Sequence, residues 1–215
     1  MQHLDVTVVS QAISWLQQQP VWLCTVLSTY GSSPRSPGAL MAATRDGRYS
    51  GSLSGGCVEE DFLRRVAAGE YQAASQVIRY GEGGMTPNVA LPCGGVLDVL
   101  IEYLPASEAS IAYLRRIAGA LEGHHALIKR LTLPNACHSL EQSHFTSATQ
   151  VERRLEQITL HIAAAPRLLI AGLSSVALYC ADFAVALGFE VLVCENRPEA
   201  LDNFAAELKP GVTLL

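Results

Sequence analysis

The six cysteines of this chain form no C-x-x-C pair, and their spacing follows no zinc-site pattern. Charge is sparse: 16% of residues are charged and the net charge is −5, which leaves no general basic footprint for nucleic acid. No uncharged apolar run reaches about 18 residues, so no membrane-spanning helix is expected. Met1-Gln2-His3-Leu4-Asp5 carries no cationic patch followed by an apolar run, so no secretory signal is read. A reducing cytoplasm is then the expected compartment, where each thiol is a small buried hydrophobe or a reactive group. Internal repeats and low-complexity tracts are absent. What is present is a hydrophobic content of 49% over 215 residues. That is enough for one large domain or two small ones, at roughly 150 residues each, with a core that needs no disulfide.

Val21–Thr29 is apolar and β-branched and reads as a strand; Tyr30–Gly38 (YGSSPRSPG) must be loop. Asp46-Gly47 between Ala39–Thr44 and Tyr49–Leu53 predicts a hairpin. Val58–Ala68 has helical apolar spacing, and Gly69 can stop it. Gln76–Tyr80 and Val96–Leu104 read as strands around Gly81–Gly95, a loop with five glycines and two prolines. A loop of that length suggests function. A helix follows from Ser107-Glu108 to about Leu121, then a strand at Ala126–Leu133, whereas Asn135–Thr149 is polar and receives no element. The tail alternates as strand Arg167–Ala171, helix Val176–Leu187, strand Glu190–Cys194, helix Ala200–Leu208 and a third strand from Gly211. The expected fold is α/β: a compact N-terminal α/β domain (1–105), a connecting region (106–165) and a partial Rossmann-like β-α-β-α-β half-sheet (166–215). The half-sheet looks cut short, as in a fragment or in a chain whose sheet edge a partner covers, and a homodimer would supply such cover. Cys24 and Cys180 read as core residues, and Cys194 as packing at a strand end. The Arg64-Arg65, Arg115-Arg116 and Arg153-Arg154 pairs read as solvated helix faces.

Chemistry concentrates in three glycine-rich stretches. Ser54-Gly55-Gly56-Cys57-Val58-Glu59 sets a thiol near a helix N-terminus, where the dipole and backbone N–H groups favour an anion and a thiolate. The bland alternative is a helix cap with a buried cysteine. Leu91-Pro92-Cys93-Gly94-Gly95 places a second thiol before a strand. Gly31 to Gly38, with Ser33 and Arg35 between prolines, offers N–H groups, hydroxyls and a guanidinium suited to a phosphate.

Together YGSSPRSPGALM, GSLSGGCVEEDFL and LPCGGVLDVLIE resemble the XdhC/CoxI family. The resemblance is strong over residues 21–103, weak over 106–165 and visible again from 166. It implies a chaperone that binds the molybdenum cofactor, protects it during sulfuration by a cysteine desulfurase, and hands it to a xanthine dehydrogenase-type apo-enzyme. On that reading Cys57, and then Cys93, meets the molybdenum end, with Cys57 as the metal contact. Gly55, Gly56, Gly94 and Gly95 line the pocket, Ser33 and Arg35 hold the phosphate, and Glu59 hydrogen-bonds pterin nitrogens. In the same family the turn after the first C-terminal strand usually reads Gly-Ala-Gly-His-Val-Ala. This chain has Gly172-Leu173-Ser174-Ser175-Val176-Ala177, so Gly172 is kept and a serine replaces the second glycine. Glu195 stands where an acid can bind a ribose. Two competing readings follow: an NAD(P)-dependent oxidoreductase using Gly172 and Glu195, and a thiol redox protein using Cys57 and Cys93.

Overall fold

The computed structural model describes residues 4–31, 35–84, 95–143, 149–163, 167–187 and 189–215, and of Cys57 the backbone alone. The chain divides into two compact units, Asp5–Ala164 and a second made chiefly of Ala165–Leu215.

The first unit is built on a five-stranded antiparallel sheet. Its strands are β1 (Val21–Tyr30), β2 (Leu40–Ala43), β3 (Tyr49–Gly51), β4 (Ser75–Tyr80) and β5 (Val96–Leu104), in the order β3-β2-β1-β5-β4. Side chains alternate across β1 because successive Cβ atoms point to opposite faces. Trp22, Cys24 and Val26 therefore meet Val58, Phe62 and Val66 of helix α2 (Cys57–Ala68) on one face. Gly69, at φ 74°, ends α2 in the left-handed conformation expected of a terminating glycine. On the opposite face Val21 and Leu23 pack with α1 (Leu4–Leu16) and α3 (Glu108–Leu121). Ser107 caps α3 by accepting from the Ser110 N–H at 3.2 Å.

Helix α1 lies where the sequence pattern assigns no element. Val6, Val9, Ala12 and Leu16 recur at helical spacing and are buried, but Val and Thr make the segment read as strand-like. A second antiparallel sheet also stands where the pattern gives only one strand. It comprises β6 (Ala126–Thr132), β7 (Ser139–Ser143), β8 (Gln150–Arg154) and β9 (Gln157–Ile162), ordered β7-β6-β9-β8. Leu131, Ile158 and Leu160 pack on Leu27 and Leu100 of the first sheet. The β8–β9 turn uses Leu155 at φ 55°, with no glycine or proline to announce it.

The second unit is a parallel sheet of β10 (Arg167–Ala171), β11 (Glu190–Cys194) and β12 (Val212–Leu214), in that order, with α4 (Ser175–Ala186) and α5 (Pro198–Phe204). Ala177, Ala181 and Ala184 face its core. Val176, Tyr179, Cys180, Phe183 and Leu187 run along the outer side of α4 and are exposed. Cys180 is thus not a core residue: it stands at the edge of the alanine stripe and is exposed. Two of the arginine pairs also differ from expectation. Arg65 is buried and bound to Asp61 and Glu70, both at 2.7 Å, and Arg153-Arg154 end a strand rather than lining a helix.

Candidate functional site

Antiparallel order decides which loops meet. Tyr30 at the end of β1 pairs with Val96 at the start of β5, and Tyr80 at the end of β4 pairs with Leu97. Gly51 at the end of β3 pairs with Met41, next to the start of β2. The chain therefore leaves the sheet at one and the same end after Tyr30, Gly51 and Tyr80, and re-enters it there before Leu40 and Val96. The backbones of Gly31, Gly81 and Gly95 touch there. A Cβ on Gly31 would lie 3.2 Å from the Gly95 Cα, and one on Gly81 would lie 2.2 Å from the Gly95 carbonyl oxygen. Both glycines also hold positive φ, 84° and 92°. Only a residue without a Cβ meets both demands.

The Ser52–Gly56 loop has its own organiser. One oxygen of Glu59 accepts from the N–H groups of Leu53 (2.8 Å), Ser54 (2.9 Å) and Gly55 (2.9 Å) and from the Ser52 hydroxyl (2.7 Å). The other accepts from the Gly56 N–H at 2.8 Å and the Ser54 hydroxyl at 2.9 Å. Burial by itself would raise the carboxyl pKa, but these hydrogen bonds outweigh it and bring it down to about 2. The anion that the loop and helix start attract is thus the chain's own. Glu59 stands three residues after the residue that precedes α2, the spacing of a capping box, and it positions the loop with both oxygens engaged.

The other expected site residues fall as follows. Cys57 is the first residue of α2. Gly55, at φ 91°, and Gly56 are exposed, and a Cβ on Gly56 would meet no atom within 4 Å. Gly95 lies at the meeting point of the backbones. Arg35 directs Nη2 to Asp5 Oδ1 at 2.9 Å, and the same oxygen accepts from the Leu40 N–H at 3.1 Å, so the pair ties the loop to α1. Ser33, Cys93 and Gly94 lie outside the described residues. Among the described residues no group of three or more His, Cys, Asp or Glu side chains is placed to hold a metal.

In the second unit Gly172 turns at φ 98° and donates to the Cys194 carbonyl at 2.8 Å. Glu195 accepts from the N–H groups of Leu173 (2.7 Å), Asn196 (2.9 Å) and Arg197 (2.8 Å), and from Arg197 Nε at 3.0 Å and Nη2 at 2.7 Å. The Arg197 guanidinium, followed by these N–H groups, holds its carboxyl well below the usual range. The Ser174 hydroxyl caps α4 by accepting from the Ala177 N–H at 3.2 Å. The groups that would meet a dinucleotide are engaged with one another, and NAD(P) binding finds no support here.

The fold is thus a mixed α/β architecture in two units, with three glycine-rich segments gathered at one sheet end and a cysteine opening the adjoining helix. Over residues 14–81 the chain matches the sequence model of the XdhC and CoxI family. It is 35% identical over 99 residues to the molybdenum cofactor insertion chaperone PaoD of Escherichia coli strain K12, covering 44% of this chain and 30% of that protein. It is 26% identical over 203 residues to a probable xanthine dehydrogenase component of Bacillus subtilis strain 168, covering 84% and 61%. The chain therefore spans about a third and about three fifths of these two relatives. A crystal structure of a xanthine dehydrogenase from Bacillus halodurans shares the fold, with a TM-score of 0.67 at 20% identity, covering 100% of this chain and 68% of that one. No helix among the described residues is long and apolar enough to cross a membrane.

Proposed function

We propose that the protein binds the molybdenum cofactor as cargo, shelters it during sulfuration by a cysteine desulfurase, and delivers it to a xanthine dehydrogenase-type molybdoenzyme. The observation that carries this reading is the convergence of three glycine-rich segments at one sheet end, with Cys57 at the head of the adjoining helix. The family match over residues 14–81 and the similarity to an insertion chaperone support this chemical reading of the convergence.

The donor set fits the cargo in kind. Molybdenum is soft and favours thiolates, and Cys57 supplies one at the edge of an open loop. Gly55 and Gly56 carry no side chain that would keep a pterin from the backbone. Glu59 acts through the loop and makes no contact of its own with cargo. Bound there, the cofactor brings its metal and dithiolene chemistry for use by the receiving enzyme, and this chain needs no turnover.

Delivery is tested by anaerobic reconstitution of an apo xanthine dehydrogenase-type enzyme with cofactor-loaded protein or with free cofactor. The loaded protein is expected to restore activity faster and at lower cofactor concentration, and a Cys57→Ala protein is expected to give no advantage. Equal reconstitution by free cofactor would contradict delivery.

A further inference from the structure

Asp98, the third residue of β5, is buried, yet it holds two cations. Its carboxylate accepts from Arg79 Nε at 2.7 Å, Arg79 Nη2 at 2.8 Å and the Ser28 hydroxyl at 3.1 Å, and Arg153 Nη1 stands 3.7 Å away. Two guanidiniums on one carboxylate leave one net positive charge, in a chain whose overall charge is −5. The arginines are not themselves buried: 49% of the Arg79 side chain and 39% of the Arg153 side chain are exposed. A guanidinium carries five N–H donors. Arg79 spends Nε and Nη2 on Asp98, and among the described residues Nη1 makes no hydrogen bond. Arg153 directs Nε to the Leu155 carbonyl at 3.5 Å, leaving Nη2.

The placement matters as much as the charge. Arg79 lies two residues before Gly81, where the glycine-rich backbones touch. A Cβ on Gly84 would come within 2.4 Å of the Arg79 carbonyl, so the 81–84 turn is folded directly onto Arg79. The cluster therefore sits at the end of the sheet that the glycine-rich segments leave, on the face opposite α2, beside the second sheet, so a ligand that also reaches Cys57 must pass around that sheet end.

We infer that Arg79 and Arg153, clamped by Asp98, form an anion subsite that takes the phosphate or pyrophosphate end of the ligand bound at this sheet end. The planar fork of Arg79 matches a phosphate in two-pronged fashion. The clamp fixes the guanidiniums in advance, so less side-chain freedom is lost on binding. The identity of the ligand rests on the function proposed above; the anion subsite itself does not.

The test uses the full chain with inorganic pyrophosphate as probe, by titration calorimetry at low salt. Wild type is expected to bind. Arg79→Gln and Arg153→Gln should each weaken binding about tenfold, as for loss of one charge-assisted contact, and the double variant should lose it. Arg115→Gln, on an exposed face of α3, should bind as wild type. Absence of binding by wild type, or unchanged binding by the double variant, would overturn the subsite. Arg79→Gln leaves Asp98 without its main partner and risks misfolding. Arg153→Gln, whose contact with Asp98 is only the 3.7 Å approach, keeps the test intact. A second arm measures anaerobic cofactor retention. Wild-type retention that the double variant matches would overturn the assignment of the subsite to the cargo while leaving the delivery reading standing. Arginine-dependent pyrophosphate binding without any cofactor retention would uphold the subsite and remove the delivery reading.

Discussion

Glu59 gathers four consecutive backbone N–H groups and two hydroxyls onto one carboxylate. Glu59→Ala strands those donors and is expected to cost on the order of 2–4 kcal/mol in urea unfolding, with loss of cofactor retention. The same contacts set a pH dependence. An unfolded glutamate titrates near about 4.3, whereas Glu59 in the folded loop titrates at about 2. Its contribution to stability is therefore complete above about pH 4.3 and is lost as pH falls toward 2. Glu59→Gln should flatten the fall of the thermal midpoint over that window, and an unchanged profile would contradict the assignment. The pattern Ser54–Cys57 marks an anion-seeking loop but points to an external anion. The internal one is signalled only by an acid at capping-box spacing. Arg79 leaves no signal, because its pairing with Asp98 is made across strands and depends on register.

At the scale of elements, the convergence of the three loops rests on glycines that differ in what they must tolerate. Gly81→Ala drives a methyl into the Gly95 carbonyl at positive φ, whereas Gly47→Ala at the hairpin tip, φ 87°, meets no atom within 4 Å. Gly47→Ala is expected to cost about 1 kcal/mol, and Gly81→Ala clearly more, about 2–4 kcal/mol, as backbone strain and overpacking add. Thermal unfolding of the two variants side by side checks this; equal losses would mean that the backbones do not meet at Gly95. The strands β1 and β5 and the helices α2 and α3 are legible in the sequence because their periodicity and stop signals agree. Helix α1 is not, because β-branched residues mask its 3.6-residue spacing. The β8–β9 hairpin is hidden because it turns on Leu155 and carries charged residues along most of β8.

In the first unit as a whole, a buried ion pair joins the two sheets. Lys129 of β6 meets Glu102 of β5, both nearly inaccessible, and the Tyr113 hydroxyl of α3 donates to the other Glu102 oxygen at 2.9 Å. Lys129→Met leaves a buried carboxylate without its cation and is expected to cost about 3–5 kcal/mol in chemical denaturation, and the Lys129→Met, Glu102→Gln pair less than the sum of the singles. Additive losses would show that the two side chains do not act as a pair. Residues 106–165 read as a connecting region because this tie is made between sheets distant in sequence. In the second unit the β-α-β-α-β order is legible from alternation of strand and helix signals. The engagement of Glu195 with Arg197 is not, since a motif does not show which partner reaches a carboxylate first. The central claim, that the sheet end holds the molybdenum cofactor, is tested most directly by mixing the protein with free cofactor anaerobically and separating it by gel filtration. The protein peak is then assayed for molybdenum and for fluorescent oxidised pterin. Near-stoichiometric retention by wild type, lost in Cys57→Ala, is the predicted result; a wild-type peak free of both would contradict it.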